Sequence, residues 1–461
     1  MHGFRVFLLL PLLFLLLAAP LSFAIDISVC TNVSYPGEYA LSGDLSGAPN
    51  PVSGLTYVSQ ACILFSTENV TFDCAGFSVT NNGTEEAAAF VIANGTDEVH
   101  NRNITIQNCP FVSGYYIGAY LSATSGNTIR NATALNNSYG FFLSSSSNNT
   151  LDNNTVYNNS GTNFYARSTS PFGGSNRNNF TNNIAHDFQI GFKLHYSHNN
   201  TFINNTAYNT TYGFNLQGAA DNTLDNNTVY DNQRGMYLYS IADNNLIVRN
   251  TVHSNSLQGI GLTGTFGNRI ANCTLYNSTY GLYFGANDNE FTVETTSLLN
   301  PGGTYDGYAN ISVTDTMSGS EQYALNWRDS PASAPDGRSS FTGTYLNATI
   351  LGASPVIDEI SFHWDESETS GHDESAFELW MYDSGWTLLN NTPDTSANTL
   401  SNYTLSTSIV YALFEDTSVG CEEITSPGTY TMTENLTGAP NSIAVTGISN
   451  ECIIIASENV T

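Results

Sequence analysis

Glycoside cleavage needs two carboxyl groups at one place, one to protonate the leaving oxygen and one to activate water or attack. The chain holds 40 Asp and Glu residues, yet in its repetitive stretch Asp152 and Asp225 stand about three repeats apart and make no pair. Lys193, the only lysine, and Arg234 read as isolated cations. Metal handling needs converging His, Cys or carboxylate donors. The seven cysteines include no CxxC. His186 and His253 take equivalent positions three repeats apart, roughly 14 Å at one strand spacing per repeat, so they share no ion. His195 and His198 are close in sequence, a spacing that more often marks polar residues at a surface turn. Asp365, Glu366, Asp373 and Glu374 belong to an oxygen-rich run with Asp358, Glu359 and Glu368. Oxygen-rich loops take calcium. No spaced calcium loop surrounds this run, so a solvated acidic loop is the preferred reading and no cofactor is expected.

Aromatic residues are the more informative group. Leu135, Tyr157, His186, Tyr208, Tyr230, His253 and Tyr276 form one outward column. Phe142, Tyr165, Tyr237 and Tyr283 form a second, broken one, and Tyr139, Tyr212 and Tyr280 precede recurring glycines. Exposed rings stack on sugar faces, with Asn and Thr hydrogen-bonding to hydroxyls. The same rings stacked on each other stabilise the repeats with no ligand. Stacking between repeats is favoured, a glycan platform comes second, and the two are compatible.

The elements that carry these columns repeat every 22 residues or so. Segments from Asn127, Asn200, Asn222 and Asn268 align almost without gaps, and related ones start at Asn149, Asn178 and Asn245. A fixed period of this kind means a solenoid. One apolar column runs Ile129, Leu151, Phe180, Phe202, Leu224, Ile247, Ile270. A second runs Ala134, Val156, Ala185, Ala207, Val229, Val252, Leu275. A third pairs residues around an outward one, as in Phe192/Leu194 and Phe214/Leu216. Period-two alternation in each predicts three short strands per coil, hence a parallel β-helix. Gly140, Gly191, Gly213, Gly235, Gly259 and Gly281 precede the third strand, and Asn163 stands in their place in one coil. Since Asn replaces Gly best at positive φ, the column predicts a left-handed backbone position. Asn154, Asn183, Asn205, Asn227 and Asn250 occupy one bend, flanked by Cys109, Ala132 and Cys273. With coils about 4.8 Å apart, these amides are expected to bond in a ladder.

Composition agrees with this architecture. Roughly one residue in eight is Asn, only 11% are charged, and the net charge is −29. Such a surface cannot neutralise phosphates, which excludes nucleic acid as a partner. The leader from Met1 has Arg5, an apolar stretch from Val6 to Leu21, and small residues at Ser22 and Ala24. It reads as a signal peptide cleaved after Ala24, with no membrane span in the mature fragment, so the chain is expected to be secreted or at the cell surface. In an exported chain the Asn-x-Ser/Thr sequons, about two dozen here, are glycan acceptors. N-glycosylation is expected at a minority, because an inward asparagine cannot be modified.

A longer duplication pairs CTNVSYPGEYALSGDLSGAPN from Cys30 with CEEITSPGTYTMTENLTGAPN from Cys421. Cys30 and Cys62 lie 32 residues apart, Cys421 and Cys452 31 apart. Both pairs are expected as disulfides stapling a cap over a β-helix; Cys74 and Cys109 are a further candidate pair. Cys273 reads as an inert ladder substitute. The second copy stops at Thr461, where the first continues into FDCAGFSV, so a second, truncated β-helix is expected to begin there. Between the copies the period vanishes, all four Trp occur, and IDEISFHW alternates. Short strands and a hairpin at Asp383–Gly385 predict a β-sandwich. The expected division is a signal peptide at 1–24, a β-helix with cap at 25–299, a sandwich at 300–418 and a second cap at 419–461.

The NTxxNNTxYxNxxGxxL coils resemble the right-handed parallel β-helix repeats of NosD-like proteins and of carbohydrate-binding and sugar-hydrolase (CASH) domains. The cap, with PGEYALSGDL and ENVTFDCAGFSV, resembles those of archaeal secreted β-helix proteins. The resemblance covers residues 30–295 and again 421–461. It implies an all-β fold and leaves function open, since this superfamily includes pectate lyases, polygalacturonases, alginate epimerases and a copper-maturation factor. The NTD, DD, GHG, RIK and DPHE signatures of its enzymes are absent here. The preferred expectation is a non-catalytic surface rod for adhesion, envelope structure or binding of polysaccharide or cell-surface glycans. The alternative is a polysaccharide-active hydrolase, lyase or epimerase working in a groove along the helix.

Overall fold

The computed structural model describes residues 24–417, apart from 83–85, 94–99, 169–173, 288, 354 and 407–408, and four short strands between 423 and 455. The signal peptide, Cys421, Cys452 and most of the second cap lie outside the described residues.

Each coil has three short strands, as the columns predict. In one coil these are Thr128–Arg130, Thr133–Leu135 and Tyr139–Ser144. Each pairs in parallel with its counterpart in the next coil, so Ile129 sits on Leu151, Ala134 on Val156 and Phe141 on Phe164. The register reaches back through the cap, where Ile25 pairs with Tyr39 and Tyr39 with Phe72. Inward residues of all three sheets form one continuous buried core. Inside it, like rings stack: Phe180 on Phe202 at 4.4 Å, and Phe192 on Phe214 at 4.6 Å. Disulfides Cys30–Cys62 and Cys74–Cys109 tie the first coils together. No helix among the described residues is long and apolar enough to cross a membrane.

The bends are built from amide ladders. Asn154 Nδ2 donates to Asn183 Oδ1 at 3.0 Å, Asn183 to Asn205 at 3.0 Å, Asn205 to Asn227 at 3.1 Å and Asn227 to Asn250 at 3.0 Å. Each Oδ1 also accepts the backbone N–H of the coil before it, as Asn205 does from Asn183 at 2.9 Å. A second ladder, at the bend before the first strand, runs through Asn127, Asn149, Asn178, Asn200, Asn222, Asn245 and Asn268. Cys273, buried and free, ends the first ladder. Burial raises its thiol to about 11, so it stays protonated and unreactive.

The glycine column has a different cause from the one expected. None of these glycines, nor Asn163, has a positive φ. A Cβ on Gly213 would meet Gly235 O at 2.7 Å and Val229 Cγ1 at 2.6 Å; one on Gly235 would meet Gly259 O at 2.5 Å. The constraint is close approach between coils. Positive φ falls instead on the outer turn asparagines, such as Asn153, Asn204 and Asn226.

The described residues between 300 and 417 form two antiparallel layers that start from strands of the rod. Asn289–Leu299 continues the first two rod sheets in parallel, then pairs antiparallel with Tyr308–Met317. Tyr280–Phe284, the last third-sheet strand, pairs antiparallel with Tyr323–Trp327. The first layer continues through Val356–His363 and Thr399–Ser406. The second continues through Arg338–Ile350, Ile409–Asp416, Phe377–Tyr382 and Trp386–Asn390. Val313, Phe362, Leu325, Leu346 and Leu413 fill the space between the layers and join the core of the rod. The rod's last coil is thus the template for the antiparallel unit.

Asn205→Ala leaves the partners of one ladder amide unsatisfied and should cost about 2 kcal/mol by denaturant unfolding. Asn204→Gly, one residue away and exposed, should cost less than about 0.5 kcal/mol. Equal costs would show that the ladder contributes nothing.

Candidate functional site

The Tyr–His column is a closed stack. Tyr157 lies on His186 at 4.6 Å, His186 on Tyr208 at 4.7 Å, Tyr208 on Tyr230 at 5.0 Å, Tyr230 on His253 at 5.2 Å and His253 on Tyr276 at 4.5 Å. Neighbouring planes tilt by 7° or less. Each inner ring has both faces covered, so the column offers solvent only ring edges and polar tips. Its last ring borders a cavity of about 540 Å³, lined also by Trp327, Asp231, Ser254, Asn277 and Asn326.

The second aromatic column divides. Phe142 and Tyr165 are buried, against expectation, because a segment around Val52–Val58 straps across the third sheet and packs Tyr57 on Phe142 at 5.0 Å. Tyr57 also accepts a hydrogen bond from Arg167. The strap ends over Tyr165, and beyond it the third sheet forms a shallow trough in which Lys193, Tyr237 and Tyr283 are half-buried and Asn215 and Gly261 are buried. Its outward positions, in register, are Tyr165, Lys193, Asn215, Tyr237, Gly261 and Tyr283. Beside them run Arg167, His195, Gln217, Tyr239 and Thr263, with Ile190, Tyr212, Arg234, Gln258 and Tyr280 on the other side. From Tyr165 to Tyr283 is five coil steps, about 24 Å. The far end is closed by Gln322, which donates to the Tyr283 hydroxyl.

Lys193 and Arg234 are therefore not isolated. Lys193 Nζ lies 5.2 Å from the Tyr165 ring centroid, and Arg234 lies 5.4 Å from Tyr212 and 5.3 Å from Tyr237. Arg234 also donates to Tyr212 Oη and Gln258 Oε1. Burial, then the nearby Arg167, lowers the Lys193 pKa below the ordinary lysine value. Burial, Arg167 and Lys193 lower that of His195. The outward rows of the trough hold no Asp or Glu. Sequence reasoning missed this site because its cations lie in separate coils without a repeating pattern; the outward positions Arg167, Lys193 and His195 were the available signal.

The calcium candidates do not converge. Asp365 accepts from Ser367 N, Asp373 from Ser375 N, Glu374 from Trp364 Nε1 and Glu366 from Asn398 Nδ2. No group of three or more His, Cys, Asp or Glu residues that could hold a metal occurs among the described residues. His198 Nδ1 accepts from Ala220 N, while His195 faces the trough, so these two histidines also do not meet.

The turn sequons have a regular geometry. In Asn153-Asn154-Thr155, Asn204-Asn205-Thr206 and Asn226-Asn227-Thr228 the middle residue is the buried ladder amide. The first asparagine, which is the acceptor position, is exposed, with φ of 53°, 57° and 52°.

Residues 56–187 match the family described as right handed beta helix region, and residues 165–300 the family described as periplasmic copper-binding protein (NosD). The rod is a NosD-like right-handed parallel β-helix. Among the described residues its donor set does not fit copper: Cys273 is buried and alone, and no three His, Cys, Asp or Glu residues converge. No curated protein matches the chain. Similar solved structures include the following three. The A-module of a mannuronan C-5 epimerase from Azotobacter vinelandii shares 17% identity over 57% of this chain and 84% of its own, with a TM-score of 0.41. A surface adhesin of Streptococcus pneumoniae shares 9% over 63% and 88%, with a TM-score of 0.45. The Dettilon tailspike protein shares 12% over 85% and 87%, with a TM-score of 0.39.

Tyr208→Ala removes two ring contacts and should destabilise the NosD-like rod by roughly 1–3 kcal/mol without changing glycan affinity; calorimetry of unfolding and of binding checks both. A second test uses pH. Burial lowers the His253 pKa below 6.5, so the unfolded chain takes up the proton first. The stability contribution is present above 6.5 and is lost as pH falls through the depressed folded value. His253→Tyr should therefore flatten part of the fall in melting temperature below pH 6.5; an unchanged slope would contradict the assignment.

Proposed function

We propose that this chain is an extracellular or periplasmic surface protein whose rod binds glycans in the third-sheet trough without cleaving them. One observation carries the reading: a row of half-buried tyrosines and cations with amides between them on one sheet, with no carboxylate among its outward residues. Tyr237, Tyr239, Tyr280 and Tyr283 supply apolar edges and hydroxyls; Asn215, Gln217 and Gln258 supply amides. Glycoside hydrolysis lacks its two carboxyl groups on this face. The stacked Tyr–His column and the ladders stiffen the rod, which suits adhesion or envelope structure. The exposed sequon asparagines at the bends are the proposed N-glycan acceptors, away from the trough floor.

A second reading has its own observation. Lys193 and His195, with lowered pKa values beside Arg167, hold neutral nitrogen more readily than usual. Such a group can take a proton from a sugar carbon, as in β-elimination or epimerisation.

The exported chain should bind oligosaccharides on an array and return them intact, and Tyr237→Ala with Tyr239→Ala should weaken binding at least about tenfold, or 1.4 kcal/mol. Unsaturated or epimerised uronate products would replace the binding reading with the second one. Undiminished binding in the double variant would place the site elsewhere.

A further inference from the structure

The charge of the trough opposes that of the chain. Against 40 Asp and Glu there are 11 Lys and Arg, and the trough holds Arg167, Lys193 and Arg234 together with His195. Elsewhere, three arginines meet carboxylates, Arg249 with Asp225, Arg269 with Glu294, and Arg338 with Glu378 and Asp416, while Arg102, Arg130 and Arg328 donate to neutral carbonyl or amide oxygens. Among the described residues, Arg167, Lys193 and Arg234 have no ion pair. They rest on tyrosine rings instead: Arg167 lies 5.6 Å from the Tyr57 centroid, and Lys193 and Arg234 lie on the rings given above. Ring faces hold a cation without neutralising it.

The polar atoms around these cations are also unfulfilled. Among the described residues, nine buried side-chain N or O atoms have no hydrogen-bond partner in the protein, and three of them, Arg167 Nε, His195 Nδ1 and Asn215 Oδ1, fall in this patch. Arg167 pairs in register with His195, Tyr165 with Lys193, and Lys193 with Asn215, so the groups occupy three adjacent coils, about 10 Å in all. Asn215 is 3% exposed and lies on the outward side, between the inward Phe214 and Leu216. A guanidinium N–H, an imidazole nitrogen and an ammonium beside an amide oxygen complement an anionic oxygen pair with a neighbouring hydroxyl.

We propose that Arg167, Lys193, His195 and Asn215 form an anion-recognition subsite, so that the glycan taken by the trough carries carboxylate or sulfate groups. The inference rests on the glycan-binding reading and adds the ligand's charge. A ligand anion would supply the counter-charge that no protein carboxylate supplies. Arg234, two coils further along, meets a second acidic group on the same ligand.

The test is titration calorimetry of the exported chain with matched oligosaccharides: a uronic acid oligomer, its carboxyl-reduced form, and a sulfated form of that reduced oligomer. The acidic forms should bind at least about tenfold tighter than the reduced one, and the ratio should fall as salt is raised. The uronic and sulfated arms decide which anion the subsite prefers. Lys193→Met and Arg167→Gln should each collapse the ratio, Lys193→Arg should keep it, and Arg269→Gln, outside the trough, should change nothing. Near-ultraviolet circular dichroism shows that each variant is folded. Equal affinity for acidic and reduced forms, or a ratio unmoved in Lys193→Met, overturns the anion subsite and leaves glycan binding standing. Binding of none of the three overturns both.

Discussion

The strand spacing of about 4.8 Å between coils governs this molecule. Every residue lies beneath its own counterpart, so a side chain must be compatible with a copy of itself at that distance. An inward polar group at a bend has little but that copy to bond with. Asn meets the condition because one amide both donates and accepts: Nδ2 reaches forward to the next Oδ1, and Oδ1 takes a second bond from the backbone behind it. The same spacing fills the core with stacked rings and leaves room only for hydrogen beside Gly235 O and Gly259 O.

Self-stacking also limits where a ligand can bind. A regular outward column of aromatics uses its faces on itself, as Tyr208 does between His186 and Tyr230. Recognition needs a face where successive coils differ. The third sheet provides one, since Tyr165, Lys193, Asn215 and Tyr237 follow each other there without repeating. The strap at Tyr57 bounds it on one side, and the antiparallel unit at Gln322 bounds it on the other. The rod's regularity stabilises it, and its irregular face carries the site.

The fold was largely legible because periodicity reports burial directly: Ile129, Leu151 and Phe180 form a column in the alignment and in the core. The cysteine duplication pointed to Cys30 and Cys62, which the structure joins. The glycines were legible as a column but not in their cause, since positive φ and close approach both select Gly. The periodicity did not show that Asn289–Leu299 pairs parallel with the rod on one edge and antiparallel with Tyr308–Met317 on the other. Phe142 and Tyr165 read as exposed because their cover comes from residues near Tyr57, some hundred positions earlier.

The sequence by itself determined the coil, its three strands, its ladders and the scarcity of positive charge. These are local or periodic properties, and each recurs often enough to be read. Only the tertiary structure decided which aromatic faces are free and which cations meet. Lys193 and Arg234 are 41 positions apart in the chain but only two coils apart on one sheet. That proximity depends on the winding of the coils, and no property of either residue alone encodes it.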